Sequence, residues 1–294
     1  MKKYKFNRPW EGYAFLTPWN LGFLLFTAIP MVLSLYFSFT QYDVLTPPKW
    51  VGLKNYIDLA KDPRVRKSLQ VTFTYVAIGV PFQLAFALLL AVIFKNDIPG
   101  IRIYRAVYYL PSLFGGSVAV ALLWRQLFDQ EGAINQLLSL IGIEGKNWIA
   151  SPDTALYTLI LLLIWQFGSP MVIFLGGLKQ ISPDYYEAAE IDGAGNLATF
   201  FHITLPLLTP MVFFNVVMTI INAFQAFTPS YIISGGTGAP VDSTLFYTLY
   251  LYIKGFQQFS MGYASALAWV LLIIIAIITA IMFLLAQKWV YYDE

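Results

Sequence analysis

The sequence predicts an all-α integral membrane protein with six transmembrane helices, and three features lead there. Hydrophobic residues make up 58% of the 294 residues and charged residues 12%. A soluble domain carries about 25% charged residues. At a mean hydropathy of +0.64, too little polar surface remains to cover a water-soluble fold, so much of the chain must meet lipid. The apolar residues are also gathered into runs of the length that crosses a bilayer as a helix, about 20 residues.

Six such runs fall at approximately 19–39, 69–94, 106–128, 154–178, 205–233 and 262–286, all within one transmembrane domain, 1–294. The first follows Met1-Lys2-Lys3-Tyr4-Lys5 and is too long for the roughly 7–15-residue apolar region of a signal peptide; it is expected to remain as a helix. Pro30, Pro81, Pro111 and Pro170 lie within the first four runs, and membrane helices tolerate proline because neighbours re-satisfy the freed carbonyls. Arg125 sits near the end of the third. Trp19, Tyr108, Tyr109, Trp289, Tyr291 and Tyr292 stand near run ends, as in an interfacial aromatic belt. An even number of spans puts both termini on one side. Lys and Arg divide evenly between the two sides, so orientation rests on Lys2, Lys3, Lys5 and Arg8. The first helix usually dominates, which makes both termini cytoplasmic.

Several function classes are excluded. The net charge is +2, with Lys and Arg scattered, so no nucleic-acid face forms. The chain has no Cys, hence no disulfide or thiolate metal site. No H-E-x-x-H is present, and Gly145-Lys146 lacks the rest of a phosphate-binding loop. The single His202 is expected to be a packing or surface residue. No chain of acidic residues or histidine runs through the spans, as a proton relay would need. The expected sets of catalytic and metal-binding residues are therefore empty, and the energy for any pumping must come from a partner.

Residues 179–204, between the fourth and fifth runs, carry the most information. Ser182-Pro183-Asp184 is a strong helix start: a serine cap, a proline at the first position and an acid near the positive dipole end. Helix is predicted to Ile191, with Gly193 as a left-handed C-cap, and a second short helix over Leu197–His202. Lys179 against Asp184, Glu187, Glu190 and Asp192 gives a net charge of −3, and Ala188, Ala189, Gly193 and Ala194 permit close approach. From these residues alone, a helix that docks on another protein and a capped, solvated re-entry loop are equally good readings. In the fifth run, Asn215, Thr219 and Asn222 share one helical face, with Gln225 at its edge. Gln166 and Ser169 in the fourth run and Gln83 in the second add amides and a hydroxyl near Trp165 and Phe224. Amides pair with sugar hydroxyls and aromatic faces cover sugar rings, so these residues could line a substrate path. Polar side chains that bond between membrane helices are the alternative.

Glu187-Ala188-Ala189, Asp192-Gly193-Ala194, Phe200, Ile203, Leu205-Pro206 and Pro210 together resemble the full EAA signature of permease subunits of ATP-driven (ABC) importers. Val51–Tyr56, Asp62-Pro63, Ser68-Leu69, Arg105–Pro111, Trp124-Arg125 and Gly132–Asn135 with Trp148 resemble the sugar-type members, closest to the maltose/oligosaccharide and glycerol-3-phosphate group. The resemblance implies a type I ABC-importer permease fold in a bacterial cytoplasmic (inner) membrane. It implies a coupling helix seated in a groove of a cytoplasmic ATPase dimer, with Glu187 as the main polar contact and Gly193 as the pivot. It implies a second permease, which span one wraps, and an extracytoplasmic solute-binding protein. ATP and Mg would be bound by the ATPase, with no cofactor in this chain. It also places Asn222 and Gln225 on the substrate cavity. A sugar is the expected cargo. Glycerol 3-phosphate is the alternative, although a dianion would want Arg or Lys in spans that have almost none. A secondary transporter would need coupling-ion carboxylates, and a membrane enzyme a catalytic cluster.

Overall fold

The computed structural model describes residues 9–96 and 99–291. Lys2, Lys3, Lys5, Arg8 and Tyr292, on which orientation and the aromatic belt drew, lie outside them. The described residues fall into two compact units, one of those up to 61 with 254–270, the other of those from 62 to 253 with those from 271 on.

In the first unit, α1 (Pro9–Phe23) and α2 (Ile29–Ser38) are joined by a π turn, Leu24–Ala28. The turn has a local cause. Pro30 has no N–H to give the helix, and the ladder widens just before it, with Ile29 N–H donating to the Leu24 carbonyl. Phe15–Ser38 is a candidate span of which only 6% is buried within the chain, so its apolar surface must be covered by lipid or another protein. After it, β1 (Thr40–Gln41) pairs antiparallel with β2 (Lys49–Trp50), and α3 (Lys54–Lys61) follows. Buried Asn55 holds this turn together, its amide donating to the carbonyls of Ser38 (2.9 Å) and Thr40 (2.8 Å).

The second unit is built around α4 (Pro63–Ile93), capped by Asp62, whose carboxylate accepts from the Arg64 N–H at 2.9 Å. Then come α5 (Ile101–Phe114), α6 (Val118–Leu127), α7 (Ala133–Leu140), α8 (Ala155–Trp165) and α9 (Gly168–Gln180). They are followed by α10 (Pro183–Ile191), α11 (Asn196–Thr199), α12 (Leu205–Leu207), α13 (Thr209–Phe224), α14 (Thr228–Ile233) and α15 (Tyr247–Tyr252). The last helix, α16 (Met261–Ala286), runs through both units. Helix α4 packs against α8, α9, α13 and α15. One side of it is therefore covered, where Val71, Tyr75, Val80, Ala87 and Ala91 are buried, while Phe82, Leu89 and Ile93 on the other stay exposed. At the far end of the chain, Phe213 meets the rings of Phe283 and Trp289, and the Tyr291 N–H donates to Thr209 Oγ1 at 2.9 Å. The end of α16 is thereby tied to the start of α13.

Five helical stretches are long and apolar enough to cross a bilayer: Phe15–Ser38, Pro63–Ile93, Ala155–Gln180, Thr209–Ile233 and Met261–Ala286. They correspond to the first, second, fourth, fifth and sixth predicted runs. The third predicted run, 106–128, is not one helix. It is α5 and α6, bent by 99°. Gly115 and Gly116 interrupt it, and Ser117 restarts the chain as an N-cap, its Oγ accepting from the Val120 N–H at 3.3 Å. A side chain at Gly115 would run into Gln166, since a Cβ there lies 2.1 Å from Gln166 Cγ. Gly115 thus packs closely against the fourth span at the bend.

Candidate coupling loop and translocation path

The acidic loop is built from its caps inward. Ser182 is extended and accepts from the Asp184 N–H, with Pro183 at the first position and Asp184 in the first turn. The helix closes on Asp192. Gly193 follows at φ +77°, and its N–H donates to the Glu190 carbonyl (3.0 Å) while the Ala194 N–H donates to the Ala189 carbonyl (2.9 Å). That pair of bonds is a Schellman closure. Gly195 is extended, and the chain re-enters through α11, a π turn at Phe200–Thr204, and α12. The second short helix predicted over Leu197–His202 is therefore present, but divided between α11 and that turn.

One face of α10 is seated. Ala189 is buried, the Tyr186 hydroxyl lies 3.3 Å from Thr204 Oγ1, and the Lys95 ammonium sits 3.7 Å from the Tyr186 ring centroid. The other face is free within the chain. Glu187, Ala188, Asp192, Gly193 and Ala194 are all exposed, as is Glu190. Two apolar residues stand among them, Ile191 at 87% and Leu197 at 76% exposed. The outward side of this stretch is thus acidic, with Ile191 at the end of α10 and Leu197 on α11 left uncovered by the chain. The seat made by Lys95, Tyr186 and Thr204 was not anticipated from the sequence. It joins residues far apart in the chain, and no local pattern marks it.

The second feature lies where the fourth span breaks. Pro170 has no N–H to give to the carbonyl four residues back, which is that of Gln166. The helix opens there, between α8 and α9, with Gln166 at φ −84°, ψ 35°. Two side chains replace the missing donor: Gln83 Nε2 at 2.8 Å and Ser112 Oγ at 3.0 Å from the Gln166 carbonyl. Ser112 Oγ also accepts from the Ser169 N–H at 2.8 Å. Irregular backbone at membrane depth persists only where it is buried in protein or lines a cavity. A cavity of about 180 Å³ does lie there, lined by Tyr75, Gln83, Ser112, Gln166, Ser169, Thr219 and Asn222 with small residues Ala223 and Ala226. No Lys, Arg, Asp or Glu is among its lining residues.

The structure thus brings together Gln166, Thr219 and Asn222 of the predicted path, with Gln83 and Ser169. Gln225 caps the end of α13 and is exposed, away from this cavity. Asn215 is 2% exposed, and its Nδ2 has no partner among the described residues. Ser112 and Tyr75 are the polar lining residues that sequence reasoning missed, and Ser112 is the one that bonds the freed carbonyl. The signal was faint: one serine after Pro111 on a helix otherwise apolar or aromatic at that point.

Gly168, just past the break, lets α9 approach the backbone of α5 closely. A Cβ there would lie 2.8 Å from Tyr109 Cα and 2.9 Å from the Tyr108 carbonyl oxygen. These are backbone atoms that cannot rotate away. Gly168→Val is expected to destabilise the fold by about 1–3 kcal/mol through overpacking. The loss is read as a lower membrane level and a lower melting temperature in detergent, with Gly176→Val, where a Cβ meets nothing within 4 Å, as the tolerated comparison.

Long apolar helices, a broken span lining a polar cavity, and an exposed, doubly capped helix on a loop are the features of a membrane-embedded transport subunit. The chain belongs to the family of binding-protein-dependent transport system inner membrane components, whose sequence model matches residues 59–291. It is an ABC-transporter permease and has the type I importer permease fold. It is 55% identical over 285 residues to the probable ABC transporter permease protein YesP of Bacillus subtilis (strain 168), covering 96% of this chain and 92% of that one. It is 30% identical to the lactose transport system permease protein LacF of Rhizobium radiobacter, over 95% of this chain and 94% of that one. Among solved structures it is similar to a chain of the bacterial alginate ABC transporter complexed with its alginate pentasaccharide-bound periplasmic protein. The TM-score there is 0.82 at 21% identity, over 95% of this chain and 94% of that one.

Proposed function

We propose that this permease, with a second permease subunit, forms the path by which a neutral sugar or oligosaccharide enters a bacterial cell. A dimeric cytoplasmic ATPase binds ATP and Mg and drives the cycle, and an extracytoplasmic solute-binding protein delivers the cargo. The observation that carries this reading is the capped helix α10, which presents Glu187, Ala188, Ile191 and Asp192 outward from a seated base. In this reading Glu187, Ala188, Asp192, Gly193 and Ala194 form the surface that meets the ATPase, and Ala189 fixes the helix to the permease. Nucleotide-driven closure of the ATPase moves α10, and the α11–α12 connection passes the movement to α13, which carries Thr219 and Asn222.

The cargo assignment rests on two further supports. Relatives carry the names of lactose, arabinooligosaccharide and starch-degradation-product permeases. The cavity offers amides and hydroxyls and no cation, which suits hydroxyl-rich neutral solutes and does not favour a phosphate ester. At about 180 Å³ it falls short of the roughly 300–1,000 Å³ of a whole ligand site. A second wall has to complete it, and the exposed stripe of Phe214, Met218 and Asn222 on α13 is where a second permease would supply that wall. Phe15–Ser38, with most of its surface uncovered, is the segment that wraps the partner. Asn215, buried and outside the cavity, is assigned to the packing of α13.

The test is purification of the intact importer from membranes. An ATPase and a binding protein should accompany this chain, and sugar-loaded binding protein should stimulate ATP hydrolysis. In the same cells, Asn196→Cys should react with an impermeant maleimide only from the cytoplasmic side, and Thr237→Cys only from outside. The opposite labelling pattern would remove the docking argument, and stimulation by glycerol 3-phosphate alone would overturn the cargo assignment.

A further inference from the structure

Helix α7 turns its polar side inward. At 100° per residue, Ala133, Leu137, Leu140 and Ile141 fall along one side, and all are exposed, Leu137 at 62%, Ile141 at 71% and Leu140 at 80%. Asn135, on the opposite side, is buried. Its amide donates to the carbonyls of Asp129 (3.2 Å), Gln130 (2.9 Å) and Lys146 (2.8 Å), and its Oδ1 accepts from Trp148 Nε1 at 2.7 Å. Gly145 presses on this peg, since a Cβ there would lie 2.4 Å from Asn135 Cγ. A helix in water would bury the leucines and expose the amide. Here a polar anchor fixes the helix with its leucines outward.

We propose that α7 is an interfacial helix, with Leu137, Leu140 and Ile141 embedded in the lipid boundary on the membrane face opposite the acidic loop. The 129–153 segment leaves at the end of α6 and returns at the start of α8, so both its ends lie at that face. Helix α7 packs against α6, whose Leu122 and Leu123 are exposed, and α8 exposes Tyr157 and Leu161. The leucine face therefore stands beside a helix that also leaves leucines uncovered at the same end of the spans. Its chemistry also points to lipid before protein. Protein interfaces concentrate energy in Trp, Tyr and Arg, and this face has only Ala, Leu and Ile. The segment 129–153 carries Asp129, Glu131, Glu144 and Asp153 against Lys146, and the end of α6 adds only Arg125, so the local balance stays acidic and anionic headgroups do not draw the helix in. Apolar burial alone holds it, and salt should leave its position unchanged.

Because the chain contains no Cys, a single introduced cysteine is the one thiol it contributes, and the importer labelled without that cysteine supplies the background to subtract. Leu140→Cys and, on the flank, Ser139→Cys are each labelled with an environment-sensitive fluorophore in the importer reconstituted into phosphatidylcholine nanodiscs. The label at 140 is expected to emit at shorter wavelength than the label at 139. Lipids brominated near the headgroup should quench it several-fold more, at low and high salt alike and without binding protein. Equal, water-like emission at the two positions would overturn the proposal. So would shielding at 140 that brominated lipid does not quench, or that requires the binding protein, because the face would then belong to a protein partner.

Discussion

Gly193→Val is expected to abolish uptake while the chain still reaches the membrane at its usual level. Gly193 closes α10 at φ +77°, a conformation that costs an L-residue about 1–2 kcal/mol and is a steeper outlier for a β-branched one. Nothing lies within 4 Å of a Cβ at this position, so the cost is in the backbone and not in crowding. Relaxing the backbone would open the bonds to the Glu190 and Ala189 carbonyls, each contributing about 0.5–1.5 kcal/mol. A short surface helix has little stability of its own to absorb that loss. Gly193→Asn is the discriminating comparison, since asparagine tolerates the left-handed region, and it should keep most of the uptake. Glu187→Lys reverses a charge on the exposed face without touching caps or seat, and should weaken ATPase association with α10 intact. Membrane level, ATPase copurification and uptake are measured on the same samples. Normal uptake and normal ATPase association in both Gly193→Val and Glu187→Lys would make 179–204 an ordinary connection.

Asn222→Leu is expected to lower sugar uptake by roughly 5- to 150-fold, the equivalent of about 1–3 kcal/mol for a polar partner left unsatisfied, with assembly and basal ATP hydrolysis preserved. Asn222 lines the cavity at the broken span and is not packed away within the chain, so leucine there removes a hydroxyl partner without opening a void. Two comparisons separate path from packing. Gln225→Leu, off the cavity, should have the smaller effect. Asn215→Leu removes a buried amide whose Nδ2 has no partner among the described residues, and exchanging such a group for an apolar one of similar size is close to neutral. Uptake that falls equally in all three would show that α13 responds to any loss of polarity, and the cavity assignment would fail.

The acidic loop was legible almost residue by residue. Its signals are local: a Ser-Pro-Asp start, small residues in the middle, a glycine two residues past the last helical turn. Caps act over a few residues, so the sequence states them in full, and the left-handed Gly193 follows from steric limits alone. The apolar runs were legible for the same kind of reason. Burial in lipid rewards length and composition, whatever a helix packs against, and five of the six runs are single stretches of span length or longer. The third run shows where this stops. Gly115-Gly116-Ser117 is a break and an N-cap in plain sight, but a glycine pair within an apolar run also suits a continuous membrane helix, and at the 99° bend Gly115 is packed against Gln166 of another span.

By itself, then, the sequence determined that the chain is a membrane permease, where its spans lie, and how α10 is capped. The tertiary structure alone decided which polar side chains share a cavity. Asn215, Thr219 and Asn222 lie on one helical face, yet only Thr219 and Asn222 line the cavity with Gln83 and Gln166. Helical spacing gives the direction of a side chain around its own axis. What stands opposite depends on where neighbouring helices break, and Pro170 opens the fourth span at the level where Gln83 and Ser112 can reach the freed carbonyl. That meeting of three segments distant in the chain is a long-range packing outcome, and no local pattern encodes it.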